Sequence, residues 1–109
     1  MADYQVSPTQ RTLAALRDEG WHAEVVEKWI PGANIRKDLW GFADILCLRA
    51  GSVPLVVQCT SASNVSARVK KITESPLLAL VRGSNIAIEV RGWSKNKAGK
   101  WIQRIVDLS

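Results

Sequence analysis

The chain has 109 residues, of which 47% are hydrophobic, and a formal net charge of +5 at pH 7. This length predicts one domain, residues 1–109, with a modest core and little else. No apolar run approaches the roughly 20 residues that span a bilayer, and the first residues lack the organisation of a secretory signal, so we expect a cytoplasmic protein with no membrane segment.

The charge is unevenly distributed along the chain. Residues 1–64 carry six basic and seven acidic side chains, whereas residues 65–109 carry nine basic and three acidic ones. The second half is therefore the half that we expect to face a polyanion.

A helix is predicted near the N-terminus. The segment Ser-Pro-Thr-Gln at 7–10 has the form of a capping box, with Ser7 as N-cap and Pro8 at the first helical position. Leu13 and Leu16 supply the apolar side, and Gly20 suits the left-handed residue that ends a helix.

Three strands are predicted next. Residues 21–30 read as the first strand, which the turn at 31–34 ends. Residues 41–49 form a more buried second strand, and residues 54–60 a third one rich in Val and Leu. The short connection between the second and third strands predicts an antiparallel hairpin.

The second half continues with a helix and two strands. Ser63 or Asn64 caps a helix that Pro76 breaks or kinks, with residues 77–81 continuing helically up to Gly83. Residues 85–93 alternate as a strand, residues 95–100 form a polar hairpin tip, and residues 101–108 pair back. The predicted order is αβββαββ.

Two polar residues interrupt the apolar strands, Asp44 in the second and Gln58 in the third. Each is costly to bury unless the pair forms a site. Side chains alternate along a strand, so Asp44 shares a face with Leu46, and Gln58 shares one with Val56. On neighbouring strands the two can converge at one end of the sheet.

The element order and this pair resemble the PD-(D/E)XK nuclease superfamily, in particular its small resolvase-like and phage-encoded members. The family's helix-1 acid falls on Gln10, its aspartate on Asp44, and its Glu-x-Lys segment on Gln58, Cys59 and Thr60. Two family carboxylates are therefore amides in this chain, and the motif lysine is absent. The resemblance implies an α/β, restriction-endonuclease-like fold, with a central mixed sheet flanked by helices.

The resemblance also implies a site for Mg²⁺ or Mn²⁺. Magnesium is usually held by one or two carboxylates, waters and substrate phosphate. We expect Asp44, Asp38 and the Gln58 carbonyl oxygen as its ligands, with Glu24 or Glu27 next in order to replace the lost charge.

The remaining catalytic roles are also implied by the family. Thr60 or Ser61 would hydrogen-bond a phosphate or a water. Because superfamily members relocate the lysine onto the following helix, Lys70 or Lys71 would supply its charge, and we slightly prefer Lys70.

Hydroxylated residues before the second helix, followed by basic residues on it, predict a phosphate cradle. The alternative is an ordinary helix cap with a solvated basic face. The basic residues 91, 95, 97, 100 and 104 of the last hairpin are either a solvated tip or a contact to a duplex backbone. The expected nucleic-acid contacts are Ser61, Ser63, Asn64, Arg68, Lys71, Arg36 and Lys97.

Cysteine and tryptophan carry weaker signals. Cys47 and Cys59 are predicted to be reduced and buried as small hydrophobic residues. Most of the five tryptophans should pack against the core, with Trp40 and Trp93, which adjoin polar loops, as candidates for stacking on bases or ribose.

Three functions remain open from the sequence. The first is a metal-dependent endonuclease that hydrolyses DNA phosphodiester bonds, for which the resemblance to resolvases implies selectivity for a DNA structure. Cutting both strands would require a homodimer, since the chain has room for one site. The second is a catalytically inactive nucleic-acid-binding module of the same fold. The third is an interaction factor that uses its basic surface against an acidic protein.

Overall fold

A computed structural model describes residues 6–109, so residues 1–5 of the predicted domain lie outside it. The helices and strands, with one 3-10 helix, are α1 (Pro8–Asp18), β1 (His22–Val25), β2 (Lys28–Ile30), β3 (Ile35–Lys37), β4 (Ile45–Leu48), β5 (Leu55–Ser61), the 3-10 helix (Ala62–Asn64), α2 (Val65–Thr73), α3 (Leu78–Gly83), β6 (Ala87–Lys95) and β7 (Trp101–Asp107).

A five-stranded mixed sheet forms the centre of the fold, in the order β1-β4-β5-β6-β7. The neighbouring strands are antiparallel except for β5 and β6, which are parallel. The parallel pair requires a crossover, which α2 and α3 supply. The α/β class, the mixed sheet with flanking helices and the β4–β5 hairpin are therefore confirmed.

The helices cover opposite faces of the sheet. On one face, Leu13 and Leu16 of α1 join a buried cluster that includes Cys47 and Cys59. On the other face, α2 and α3 pack over a second cluster, which contains Val56, Val65, Ile72, Leu78, Val81, Ile88 and Val90. No helix within residues 6–109 is long and apolar enough to cross a membrane.

The helix caps form largely as the sequence predicts. The backbone amide of Gln10 donates a hydrogen bond of 3.2 Å to the Ser7 hydroxyl, and Pro8 is the first residue of α1. Gly20 has a φ of +92°, the left-handed region that glycine adopts without a steric cost. Asn64 is the N-cap of α2, but its side chain makes no capping hydrogen bond.

The prediction of a single strand at residues 21–30 is wrong, because this segment forms two strands, β1 and β2. Only β1 joins the central sheet, while β2 turns away and pairs with β3 in a separate antiparallel hairpin. Residues 28–37 include three cations and no acid. This segment lies outside the central sheet, in the separate two-stranded sheet of β2 and β3.

The predicted strand at 41–49 is shorter than expected. Trp40 and Gly41 both have positive φ angles, +58° and +82°, and the backbone reverses there. Leu39 and Ala43 pair across this turn, and β4 begins only at Ile45. The turn places residue 38 beside residue 44.

The basic residues of the last hairpin are predicted to be either a solvated tip or a contact to a duplex backbone. Arg91 is neither of these. It is 2% exposed, and its guanidinium donates to both Glu19 carboxylate oxygens at 2.7 and 2.9 Å and to Glu89 at 2.9 Å. The hydrogen bond from Arg91 lowers the pKa of Glu19. Arg91 therefore links the end of α1 to β6 and faces no nucleic acid.

Gly92 of β6 passes directly beneath the segment between β5 and α2. A Cβ at this position would collide with the Val65 side chain and would lie 3.0 Å from the Ala62 Cα. A glycine here therefore lets β6 approach the 3-10 helix closely enough to hold it against the sheet.

We expect Gly92→Ala to destabilise the protein by about 1–3 kcal/mol, because Val65 and the 3-10 helix must move to admit the methyl group. Gly83→Ala is the matched control, since a Cβ at Gly83 meets no atom within 4 Å. Urea unfolding measures both variants. Equal stability of the two variants would contradict the close approach at Gly92.

Candidate metal centre

Three carboxylates converge where β4 begins. Glu27, Asp38 and Asp44 each offer one oxygen atom, and these atoms all lie within 4.8 Å of one another. Asp44 is buried, whereas Glu27 and Asp38 are half-buried. The group is thus open to solvent on one side and enclosed on the other.

Backbone pairing brings these three residues together. The Leu39–Ala43 bridge sets Asp38 opposite Asp44. The β2–β3 register pairs Lys28 with Lys37, so the preceding Glu27 lies opposite Asp38. The Val26 amide donates to the Asp44 carbonyl at 2.8 Å, which attaches the end of β1 to the same point.

Asp44 and Gln58 make direct contact, which confirms their predicted convergence. The Gln58 Nε2 donates to Asp44 Oδ2 at 2.7 Å, and the Cys59 amide donates to the same oxygen at 2.8 Å. Both side chains are 3% exposed. The Gln58 Oε1 on the same amide is buried and has no hydrogen-bond partner among residues 6–109.

The electrostatics of Asp44 follow from this crowding. Burial raises its pKa from the ordinary 3.8 to about 7, and the neighbouring Asp38 and Glu27 contribute in the same direction. The hydrogen bond from the Cys59 amide favours the charged form and opposes the shift. Near neutral pH, Asp44 is therefore poised between its acid and its carboxylate.

Lys71, rather than Lys70, reaches this cluster. The Lys71 ammonium lies 3.6 Å from Asp38 Oδ2. The Lys70 side chain is 77% exposed and lies 4.0 Å from Glu74, one turn further along α2. The preference for Lys70 is therefore not supported by the geometry, which places the helical cation one residue later.

Four other predicted site residues lie at the end of β5 and in the segment that follows it. Thr60 is 5% exposed and lies within the protein. Ser61, Ser63 and Asn64 bond to one another, with Ser61 Oγ 3.2 Å from both Ser63 Oγ and Asn64 Nδ2. These three side chains form a polar surface that α2 and β5 hold at the end of the sheet.

Two predicted DNA contacts lie on either side of that surface. Arg36 donates to Glu27 at 3.2 Å and is therefore part of the carboxylate group. Lys97 is exposed in the β6–β7 turn. Because Ser61 pairs with Trp93 in the parallel β5–β6 register, this turn lies at the same end of the sheet as the carboxylates. Arg68 is half-buried on α2.

Gln10, on which the family's helix-1 acid falls, does not face the cluster. It is exposed on α1, which packs against the other face of the sheet, and it lines a shallow groove with Arg11 and Trp93. The Trp93 indole donates to Thr12 Oγ1 at 2.9 Å.

Cys47 and Cys59 are free and buried, as predicted, and burial raises the pKa of their thiols to about 11 and about 12.

The donor set suits a hard divalent cation. An octahedral Mg²⁺ has ligands at about 2.1 Å, so its ligand atoms lie roughly 3–4 Å apart. The three carboxylate oxygens within 4.8 Å need only a small contraction to match this spacing. The Gln58 Oε1, which belongs to the amide that contacts Asp44, is a neutral oxygen without a hydrogen-bond partner among residues 6–109, and its burial in this state is costly.

Comparison of the chain with protein-family models, with curated proteins and with solved structures gives no match. The residues of the cluster therefore carry the functional argument by themselves.

The structure selects Glu27 from the two alternatives that the sequence offered. Glu24 is exposed and lies 3.3 Å from His22, away from the cluster. Its neighbour in sequence, Glu27, lies opposite Asp38 because the backbone leaves the central sheet after β1. Only the position of that break distinguishes the two glutamates, and the apolar pattern of residues 21–30 does not mark it.

The raised pKa of Asp44 predicts a pH-dependent stability. In the metal-free protein, the stabilising contribution is complete below about pH 4 and is lost as pH rises towards about 7, since the unfolded carboxyl titrates near 3.8. Urea unfolding in EDTA should therefore show a larger fall in stability between about pH 5 and pH 8 for the wild type than for Asp44→Asn.

If the charged Asp44 carboxylate binds Mg²⁺, adding the ion should restore the stability lost at the higher pH in the wild type and have little effect on Asp44→Asn. Identical pH profiles for the two proteins would show that Asp44 titrates normally.

Proposed function

We propose that this protein is a metal-dependent endonuclease that hydrolyses DNA phosphodiester bonds, with a restriction-endonuclease-like fold and a variant PD-(D/E)XK active site. The observation that carries the proposal is the convergence of Glu27, Asp38 and Asp44, with Gln58 in contact with Asp44 and its Oε1 buried without a partner among residues 6–109. Mg²⁺ or Mn²⁺ is the expected cofactor, because all four donors are oxygen atoms.

The proposal explains how the site tolerates an amide at the family's glutamate position. Gln58 offers an oxygen but no charge, and Glu27 supplies a carboxylate from the connection between β1 and β2. The number of acidic groups around the cation is therefore preserved although their positions differ. In this respect the site is a rearranged version of the family pattern.

Each residue then has a defined role. Glu27, Asp38 and Asp44 would hold a divalent cation, which when bound would polarise a phosphate oxygen and increase the acidity of water. Gln58 and the Cys59 amide fix the orientation of the Asp44 carboxylate through two hydrogen bonds to Oδ2. Lys71, held near Asp38, supplies the positive charge that stabilises the developing charge on the phosphate.

The surroundings of the site favour a polyanionic substrate. The polar loop of Ser61, Ser63 and Asn64 follows β5 directly, and its hydroxyl and amide groups can contact phosphate oxygens. The β6–β7 turn with Lys97 lies at the same end of the sheet. A DNA backbone crossing this end would meet the metal site, the loop and the turn in order.

Cutting both strands of a duplex would require two copies of the site, and the homodimer remains a prediction. Both edge strands of the sheet expose large apolar side chains, for example Val25 on β1 and Ile105 on β7. A symmetric pairing through one such edge would join two sites in a single particle. Light scattering after size exclusion measures the mass directly.

The central experiment is cleavage of supercoiled, linear and branched DNA with Mg²⁺ or Mn²⁺. We expect cleavage with either ion and none in EDTA. Asp44→Asn and Glu27→Gln should each lower the rate by about a hundredfold or more, since each removes a charge from the cation site. Glu24→Gln is the matched control, because this exposed carboxylate lies outside the cluster.

Absence of cleavage on every DNA form with both ions would contradict the endonuclease. Salt-dependent DNA binding without cleavage would then identify a catalytically inactive binding module of the same fold. A stable acidic protein partner, with no affinity for nucleic acid, would instead identify an interaction factor.

The two lysines of α2 should differ in their effect on cleavage. Lys71→Met should lower kcat by about a hundredfold while leaving DNA affinity largely intact, because its charge acts on the transition state. Lys70→Met has the same change in composition but alters a side chain paired with Glu74, so its kcat should remain near that of the wild type. A loss of kcat in Lys70→Met but not in Lys71→Met would instead identify Lys70 as the catalytic cation.

A further inference from the structure

The β2–β3 hairpin begins and ends at the candidate metal centre. Glu27 directly precedes β2 and Asp38 directly follows β3. Within residues 6–109, the two strands pair only with each other, as a sheet separate from the central one. The β2–β3 hairpin is therefore flanked in sequence by Glu27 and Asp38, and both of these residues are candidate metal ligands.

Strand alternation decides which side chains share a face of this hairpin. In the register, Trp29 lies opposite Arg36, while the pairs Lys28–Lys37 and Ile30–Ile35 flank it. Residues two apart point to the same side, so Trp29 and Arg36 share the face of Glu27 and Asp38. The 3.2 Å contact between Arg36 and Glu27 confirms this assignment.

Trp29 is exposed on this face. Its relative exposure is 52%, and it belongs to neither of the two buried clusters of the fold. Residues 28–37 carry Lys28, Arg36 and Lys37 and no acidic residue. Of these three cations, Arg36 shares the face of Trp29, whereas Lys28 and Lys37 lie on the other face. An exposed aromatic ring beside a guanidinium is a combination with which proteins bind nucleotides, by stacking on the base and attracting the phosphate.

We infer that Trp29 stacks on an unpaired base next to the phosphate held at the metal centre, so that the hairpin selects DNA with a single-stranded nucleotide at the cleavage position. The inference rests on the proposed function and deepens it. Trp29 is one two-residue step from Glu27, about 7 Å along the strand. This distance is comparable to the length of one nucleotide.

The base must be unpaired because the bases of an intact duplex already stack on one another. An exposed ring can replace a neighbouring base only at a gap, a branch or a single-stranded tail, where one face of a base is free. Arg36, on the same face and beside Glu27, is placed to attract the phosphate of that nucleotide.

The test compares the binding of two fluorescein-labelled DNAs, a blunt duplex and the same duplex with a single-stranded tail, by anisotropy in Ca²⁺. We expect the wild type to prefer the tailed DNA. Trp29→Ala should weaken binding of the tailed DNA about tenfold and leave the blunt duplex unchanged. Trp29→Phe, which keeps an aromatic face, should retain most of the affinity.

Ile35→Ala is the matched control. Ile35 is 54% exposed, belongs to the same hairpin and lies on its opposite face. Its loss should leave both affinities unchanged, which separates stacking from a general disturbance of the hairpin. The inference is overturned if the wild type shows no preference, if Trp29→Ala has no effect, or if it weakens both DNAs equally. An equal loss in Ile35→Ala also overturns it.

Cleavage of the same DNAs in Mg²⁺ is measured separately. Binding of the tailed DNA that depends on Trp29, without cleavage, would retain the stacking role and reject the nuclease. Cleavage that requires Asp44 but is indifferent to Trp29→Ala would retain the nuclease and reject the stacking role.

Discussion

The burial of the Asp44 carboxylate is the constraint on which the rest of the site depends. One of its oxygens receives two hydrogen bonds, from Gln58 and from the Cys59 amide, and these fix the carboxylate between β4 and β5. Two further acids lie within 4.8 Å. Like charges at such distances repel by roughly 4 kcal/mol at an effective dielectric constant near 20. A proton, a lysine or a divalent cation must therefore offset the charge.

The burial of Asp44 also explains why a neutral glutamine at position 58 accompanies a charged glutamate at position 27. The Gln58 amide lies 2.7 Å from Asp44 Oδ2 and donates a hydrogen bond to it. A glutamate at 58 would replace that donor by a fourth negative group against the same oxygen, where it would raise the pKa of Asp44 further. With Glu27 in place, a neutral side chain at 58 is the one that electrostatics favours. The two positions are thus coupled through Asp44.

The sequence was sufficient for the features that depend on alternation and capping, such as the β4–β5 hairpin and the approach of Asp44 to Gln58. It was insufficient where one residue decides the outcome. Each residue along α2 rotates the side chain by about 100°, so Lys70 and Lys71 face different directions. The strands of the second hairpin have three residues each, too few to show a period. The positive φ of Trp40 is a conformation that tryptophan seldom adopts, and no sequence pattern marks it.

The missed hairpin gives the site a further property, which follows from where its ends lie. Arg36 neutralises Glu27 through a contact of 3.2 Å and so competes with any cation for the same carboxylate. On the proposed function, Glu27 and Asp38 would hold a cation at the two ends of the β2–β3 hairpin, and Arg36 would then be released from Glu27 to pair with a phosphate. Binding of the cation and binding of the nucleotide would favour each other, because Arg36 would leave the carboxylate for the phosphate. On the proposed function, the hairpin would therefore connect the metal centre to the nucleic acid.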